Sequence, residues 1–92
     1  MMVRFTREAL SHIEAIQSYV SAKNASAATR IASRIFLDAE RLGEFPKMGR
    51  AGAVSGTYEW VVSGLPYIIV YEIDNRAGTL IVLAVFHGAR ER

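Results

Sequence analysis

Leu42-Gly43-Glu44-Phe45-Pro46-Lys47-Met48-Gly49-Arg50 is the stretch at which the chain changes its hydrophobic period, and the fold follows from what lies on either side. Pro46 drives Phe45 out of the α region, so a helix arriving from the N-terminal side must stop here. On that side apolar residues recur every three or four positions. Leu10, Ile13, Ile16 and Val20 share one face of a first helix. Thr6 is placed to cap it by accepting from an orphan backbone N–H, with Phe5 ahead of the cap as a hydrophobic staple. After a break at Lys23-Asn24, Asn24 can cap a second helix whose stripe is Ala28, Ile31, Ile35, Ala39 and Leu42. So short a link predicts an antiparallel hairpin, and Ala25, Ala27, Ala28 and Ala32 let its helices come close. Both stripes read as core.

Beyond Pro46 the pattern belongs to strands. Lys47-Met48-Gly49-Arg50-Ala51-Gly52 reads as a loop by its glycines. Tyr58 to Val62 predicts a strand, ended by Ser63-Gly64 and Pro66. Tyr67 to Ile73 is nearly apolar throughout, as a central strand covered on both faces would be. Asp74-Asn75-Arg76-Ala77-Gly78 predicts a hairpin loop leading to a third strand, Thr79 to Phe86. Val3 to Phe5 adds a short strand at the N-terminus. The order βααβββ predicts an α+β fold: a helical hairpin packed on one face of a small antiparallel sheet.

Ninety-two residues leave room for one domain, taken as residues 1–92. A chain of this size buries only about 60–65% of its unfolded surface. A hydrophobic fraction of 51% argues against disorder and leaves apolar area for a partner. With no cysteine, disulfides and thiolate metal sites are excluded. The charged N-terminus is no signal peptide, and no apolar run nears the ~20 residues of a membrane span. The expectation is a soluble cytoplasmic protein. The net charge of +2 comes with acids interleaved among the bases. That is not the basic stripe of a protein that binds duplex DNA sequence-specifically.

Several segments, in order, carry a resemblance. They are Phe5-Thr6-Arg7-Glu8-Ala9, Ile13-Glu14-Ala15-Ile16-Gln17-Ser18-Tyr19-Val20, Asn24-Ala25-Ser26-Ala27-Ala28 and Leu42 to Arg50. Gly56-Thr57-Tyr58-Glu59, Pro66-Tyr67-Ile68-Ile69-Val70-Tyr71 and Val85-Phe86-His87-Gly88-Ala89-Arg90 complete the set. Each is weak alone; as an ordered set spanning nearly the whole chain they resemble the RelE/ParE toxin superfamily. The resemblance implies the toxin of a type II toxin–antitoxin pair, neutralised by a cognate antitoxin and needing no cofactor.

Within that superfamily, RelE-like members cut messenger RNA in the ribosomal A site with Lys and Arg side chains on the sheet. This chain has Glu59, Trp60 and Ile68 where those members place basic residues. Cleavage without a metal needs positioned acid, base and charge stabilisers. ParE-like members poison DNA gyrase without catalytic residues of their own. They resemble this chain in the long hairpin, the Phe-Pro-x-Met-Gly-Arg turn and the Pro-Tyr strand. Two departures stand out: Tyr58 where many members carry Arg, and Ala25 where Pro is usual. The gyrase poison is therefore the leading expectation. A ribosome-dependent mRNA endonuclease using Glu59, His87 and Arg90 is the alternative, and a non-toxic antitoxin-binding protein the third.

The residues expected to meet the target are Arg50, Tyr58, His87 and Arg90; those expected to meet the antitoxin are Trp60, Tyr67 and Tyr71. Each has a plainer reading. His87 and Arg90, just past the last strand, could serve as acid–base and anion-binding groups, or could bond a neighbouring loop and an acid such as Glu59. Arg50 reads as an anchor between loop and sheet, because the flanking glycine permits close backbone approach. Tyr67 and Tyr71 share a face and can line core or groove. The Trp60 indole N–H needs a partner. His12, alone on the first helix, is no metal site.

Overall fold

In the computed structural model, which describes residues 1–88, the chain folds as β1 (Met2–Phe5), α1 (Arg7–Ser21), α2 (Ala25–Glu44), β2 (Arg50–Ala51), β3 (Tyr58–Val61), β4 (Tyr67–Asp74) and β5 (Thr79–His87). Both caps sit where the sequence places them. The Ala9 N–H donates to the Thr6 hydroxyl at 3.0 Å, and the Ala27 N–H to Asn24 Oδ1 at 3.0 Å. Helix α2 ends at Glu44, the turn before Pro46.

The helices cover one face of a five-stranded sheet ordered β1-β5-β4-β3-β2. Two features correct the expected antiparallel sheet. First, β1 runs parallel to β5, Val3 opposite Leu80 and Phe5 opposite Val82, so the sheet is mixed. The hairpin connecting β1 to the rest is long enough for such a crossover. Second, part of the expected loop is a strand: Arg50 pairs with Glu59 and Ala51 with Tyr58. Helix α2 admits β1 at its C-terminal end through Gly43, where a Cβ would lie 2.6 Å from Val3 Cγ2 and 3.0 Å from the Met1 carbonyl oxygen.

The core is Ile35, Leu42, Val62, Ile69, Tyr71, Leu80, Val82 and Val85, all fully buried. Each such side chain contributes roughly 1.5–3 kcal/mol by leaving water. On α1 the buried positions are Ala9 and Ile13; Leu10, expected in the stripe, is 47% exposed. Ala9, Ile13 and Ile16 form the docking edge, and Leu10 lies about 100° around the helix from Ala9. Small size at Ala9 brings α1 against the sheet.

The β4–β5 ladder breaks once. Val70 pairs with Ala84 but Tyr71 with Val82, so Leu83 is the extra residue of a bulge. Helix α1 bonds to the backbone around it. The Thr6 hydroxyl donates to the Leu83 carbonyl at 3.1 Å, and the Val85 N–H donates to His12 Nδ1 at 3.2 Å. His12 thus has a structural task, accepting from the β5 backbone through Nδ1.

Candidate functional site

The side chains singled out in the sequence gather on and around β3 and β4. Their placement begins at Tyr71, which is fully buried. Its hydroxyl donates to the Pro46 carbonyl at 2.7 Å and accepts from the Gly49 N–H at 3.1 Å. Burial pushes this hydroxyl above the ordinary tyrosine range, the Gly49 bond pulls it partly back, and neighbouring Tyr58 pushes it up further. The two bonds fasten the turn after α2 to the middle of the sheet. Gly49 is required there: a Cβ would lie 2.5 Å from the Tyr71 hydroxyl and 2.8 Å from the Glu59 carbonyl oxygen.

Held in this way, the chain enters β2 and sets Arg50 opposite Glu59. Arg50 Nη2 lies 3.6 Å from Glu59 Oε1, with the Arg50 side chain 65% exposed and that of Glu59 only 6%. Glu59 Oε2 also accepts from the Ala53 N–H at 3.3 Å. The anchoring role read for Arg50 thus has a partner, and the buried carboxylate ties β2 and the following loop to β3. Tyr58, one residue earlier, stacks on Tyr71 with ring centroids 5.4 Å apart.

Trp60 meets its partner on α2. Its indole N–H donates to Asp38 Oδ2 at 2.9 Å, and the same oxygen accepts from the Ser63 N–H at 3.0 Å and the Ser63 hydroxyl at 3.4 Å. Asp38 is 2% exposed. Sequence reading passed over this residue. The available signal was a carboxylate three residues after Ile35 and one before Ala39, on the margin of the buried stripe, together with a tryptophan lacking an acceptor.

The register then separates residues that the sequence alone could bring together. Tyr67 pairs with His87, Ile69 with Val85 and Trp60, and Tyr71 with Tyr58, all on the helix side of the sheet. Glu59 pairs with Val70, and Ile68 with Phe86, on the other side. Side chains alternate faces along a strand. Glu59 and His87 therefore lie on opposite faces and do not form an acid–base pair. His87 is also the last residue of β5, not a residue beyond it, and its ring meets Tyr67 edge-on at 5.6 Å. Arg90 lies outside the described residues.

Of the three residues expected to meet a protein partner, Tyr67 is 5% exposed and Tyr71 fully buried. Both are core, because the β4 positions facing the helices are sealed by them. Trp60 alone of the three is only partly buried. Beside it lies a feature the sequence reading missed. An open groove of about 540 Å³ runs between α2 and the β3–β4 turn, lined by Ile31, Leu37 and Leu65 and flanked by Arg30 and Arg34. Among the described residues no three His, Cys, Asp or Glu side chains cluster as metal ligands, and no helix is long and apolar enough to cross a membrane.

Residues 3–92 match the sequence profile of the ParE toxin of the type II toxin–antitoxin system parDE. The chain is 35% identical over 81 residues to the Y4kP protein of Sinorhizobium fredii, covering 88% of this chain and 84% of that one. It is 32% identical over 88 residues to the toxin RelE2 of Caulobacter vibrioides, covering 96% of each. In structure it is similar to a chain of the chromosomal ParDE TA system from P. aeruginosa, with TM-score 0.84, 17% identity and 95% of both chains covered.

Proposed function

Because this chain belongs to the ParE toxin family, the toxins of type II toxin–antitoxin systems, we propose that it acts in the cytoplasm as an inhibitor of DNA gyrase, held in check by a cognate antitoxin. The observation that carries this reading over RNA cleavage is the division of Glu59 and His87 between the two faces of the sheet. A general acid and a general base must both reach the reacting bond. On the face opposite the helices, the central positions hold Glu59, Ile68 and Val70 in place of a group of cations, and Arg50 sits against the Glu59 carboxylate. Such a surface suits docking to a protein better than stabilising charge at a phosphorus atom.

Purified gyrase on relaxed plasmid is the test. Supercoiling should fall and cleaved DNA complexes should accumulate as the protein is added. Unchanged supercoiling and cleavage patterns would sink the gyrase reading. The second reading is a ribosome-dependent mRNA endonuclease, favoured by the likeness to the relative named RelE2. It requires codon-phased cuts in a translating extract, lost on His87→Ala.

A further inference from the structure

Val54, in the loop between β2 and β3, is 68% exposed, more than any other large apolar side chain among the described residues. A lone exposed valine needs no explanation. What sets this one apart is how it is held. The Gly52 N–H donates to the Thr57 carbonyl at 2.8 Å and closes the loop at its base. The Val54 carbonyl accepts twice, from the Thr57 N–H at 3.1 Å and from the Thr57 hydroxyl at 2.6 Å. A Cβ on Gly52 would run into that hydroxyl, so the loop closes as tightly as glycine allows. The residue before Val54 is tied to the sheet, because the Ala53 N–H donates to Glu59 Oε2 at 3.3 Å.

The other oxygen of the same carboxylate faces Arg50 Nη2 at 3.6 Å. One buried side chain thereby sets an exposed cation and an exposed apolar tip with respect to each other. From Phe45 to Tyr71 the sequence has a single acid, Glu59, and it is buried, whereas the cations Lys47 and Arg50 are exposed. This edge of the sheet offers positive charge and apolar surface together. Its complement is an acidic protein surface, with a carboxylate for Arg50 beside an apolar pocket that admits a branched side chain. A nucleic acid fits poorly, since residues 51–57 carry no cation and Val54 would face phosphates. A loop already ordered when free loses less entropy on docking, so more of the contact energy of its tip is realised as affinity. We propose that the β2–β3 loop recognises the toxin's protein target, Val54 entering an apolar pocket and Arg50 pairing with a carboxylate at its rim. The inference rests on the gyrase reading for the identity of that target and adds the residue that anchors to it.

The test uses the full chain with purified gyrase as probe and growth arrest on induced expression as a second readout. Val54→Ser keeps the loop's hydrogen bonds, which run through the Val54 backbone, and its thermal midpoint should match wild type because the side chain is exposed. Should the midpoint fall, Val54→Thr, closer in shape, takes its place with the same expected direction. The concentration needed to inhibit supercoiling should rise about tenfold or more, as for loss of a central anchor. Thr57→Ala leaves Val54 in place but removes the hydroxyl brace, and should raise that concentration by a smaller factor. Binding of the product of the adjacent reading frame should stay within about twofold of wild type in both variants. Inhibition by folded Val54→Ser within about twofold of wild type would overturn the loop while leaving the gyrase reading in place. If the wild-type chain leaves gyrase untouched, the gyrase reading falls and growth decides the loop: relief of arrest by folded Val54→Ser upholds it as the target-binding element, and full arrest overturns it. Weakened binding of the adjacent product with gyrase inhibition retained would overturn the proposal in favour of an antitoxin contact.

Discussion

Asp38 on α2 and Trp60 on β3 are joined side chain to side chain, the indole N–H donating to the carboxylate at 2.9 Å. This bond, with the two that Ser63 makes to the same oxygen, fixes how α2 sits over the far half of the sheet. Asp38→Ala leaves the Trp60 and Ser63 N–H groups without their acceptor, and each buried unsatisfied donor costs about 1–3 kcal/mol. A loss of about 2–4 kcal/mol is expected. Trp60→Phe, which keeps most of the apolar contact, should cost less. A double-mutant cycle by urea denaturation should return a coupling of at least ~0.5 kcal/mol. Additive losses would show that the bond does not contribute.

What was legible in the sequence is what depends on neighbours in sequence. Thr6 and Asn24 bond to N–H groups three residues on, so both helix starts could be read directly. The parallel docking of β1 on β5 could not, because it is a choice of partner more than seventy positions away. Strand β2 is two residues long and exists because Tyr71 and Glu59 hold the turn, which leaves no periodic trace. Leu10 and Ala9 are adjacent on the helix, and size alone picked the wrong one. Among the site residues, the pairing of Arg50 with the sheet could be anticipated from Gly49. The opposed faces of Glu59 and His87 could not, because they depend on the register of three strands: Glu59 pairs with Val70 and His87 with Tyr67, an odd number of positions apart on β4.

Tyr71 makes the fold sensitive to alkali. Its hydroxyl is raised by burial and donates to Pro46, so the folded chain favours the protonated form. Above the unfolded value of about 10 the unfolded chain releases this proton more readily than the folded one, so it binds fewer protons and stability falls as pH rises. The contribution is fully present below that value. Thermal midpoints measured from pH 8 to 11 should drop more steeply for wild type than for Tyr71→Phe. At pH 7 the same variant should be about 1–2 kcal/mol less stable, having lost two hydrogen bonds. Parallel midpoint curves for the two proteins would refute the assignment.

Gly49→Ala probes the same junction by volume. The new methyl would collide with the Tyr71 hydroxyl and with the Glu59 backbone carbonyl, and the second cannot rotate away. Strain of this kind costs about 1–3 kcal/mol. The predicted signature is a lowered midpoint that Tyr71→Phe partly relieves, since removing the hydroxyl frees one of the two collisions. A double variant no more stable than Gly49→Ala alone, beyond the additive loss, would mean that the turn adjusts elsewhere.

Arg50 and Glu59 should part company in a growth assay. Arg50 is exposed and its 3.6 Å pair with the buried Glu59 is too long for a hydrogen bond, so Arg50→Ala should cost about 1 kcal/mol of stability. Glu59 is buried and also accepts from Ala53, so Glu59→Ala removes the acceptor that holds the loop after β2. It should lower the thermal midpoint by several degrees, about 4–8 °C per kcal/mol for a domain of this size. If Arg50 meets the target, as its exposed position on an anchored turn suggests, Arg50→Ala should relieve growth arrest on induced expression while the protein stays folded. Full arrest by a well-folded Arg50→Ala protein would remove Arg50 from the target surface. Rescue of growth by Glu59→Ala alone, with its midpoint lowered, would show only that the fold must be intact.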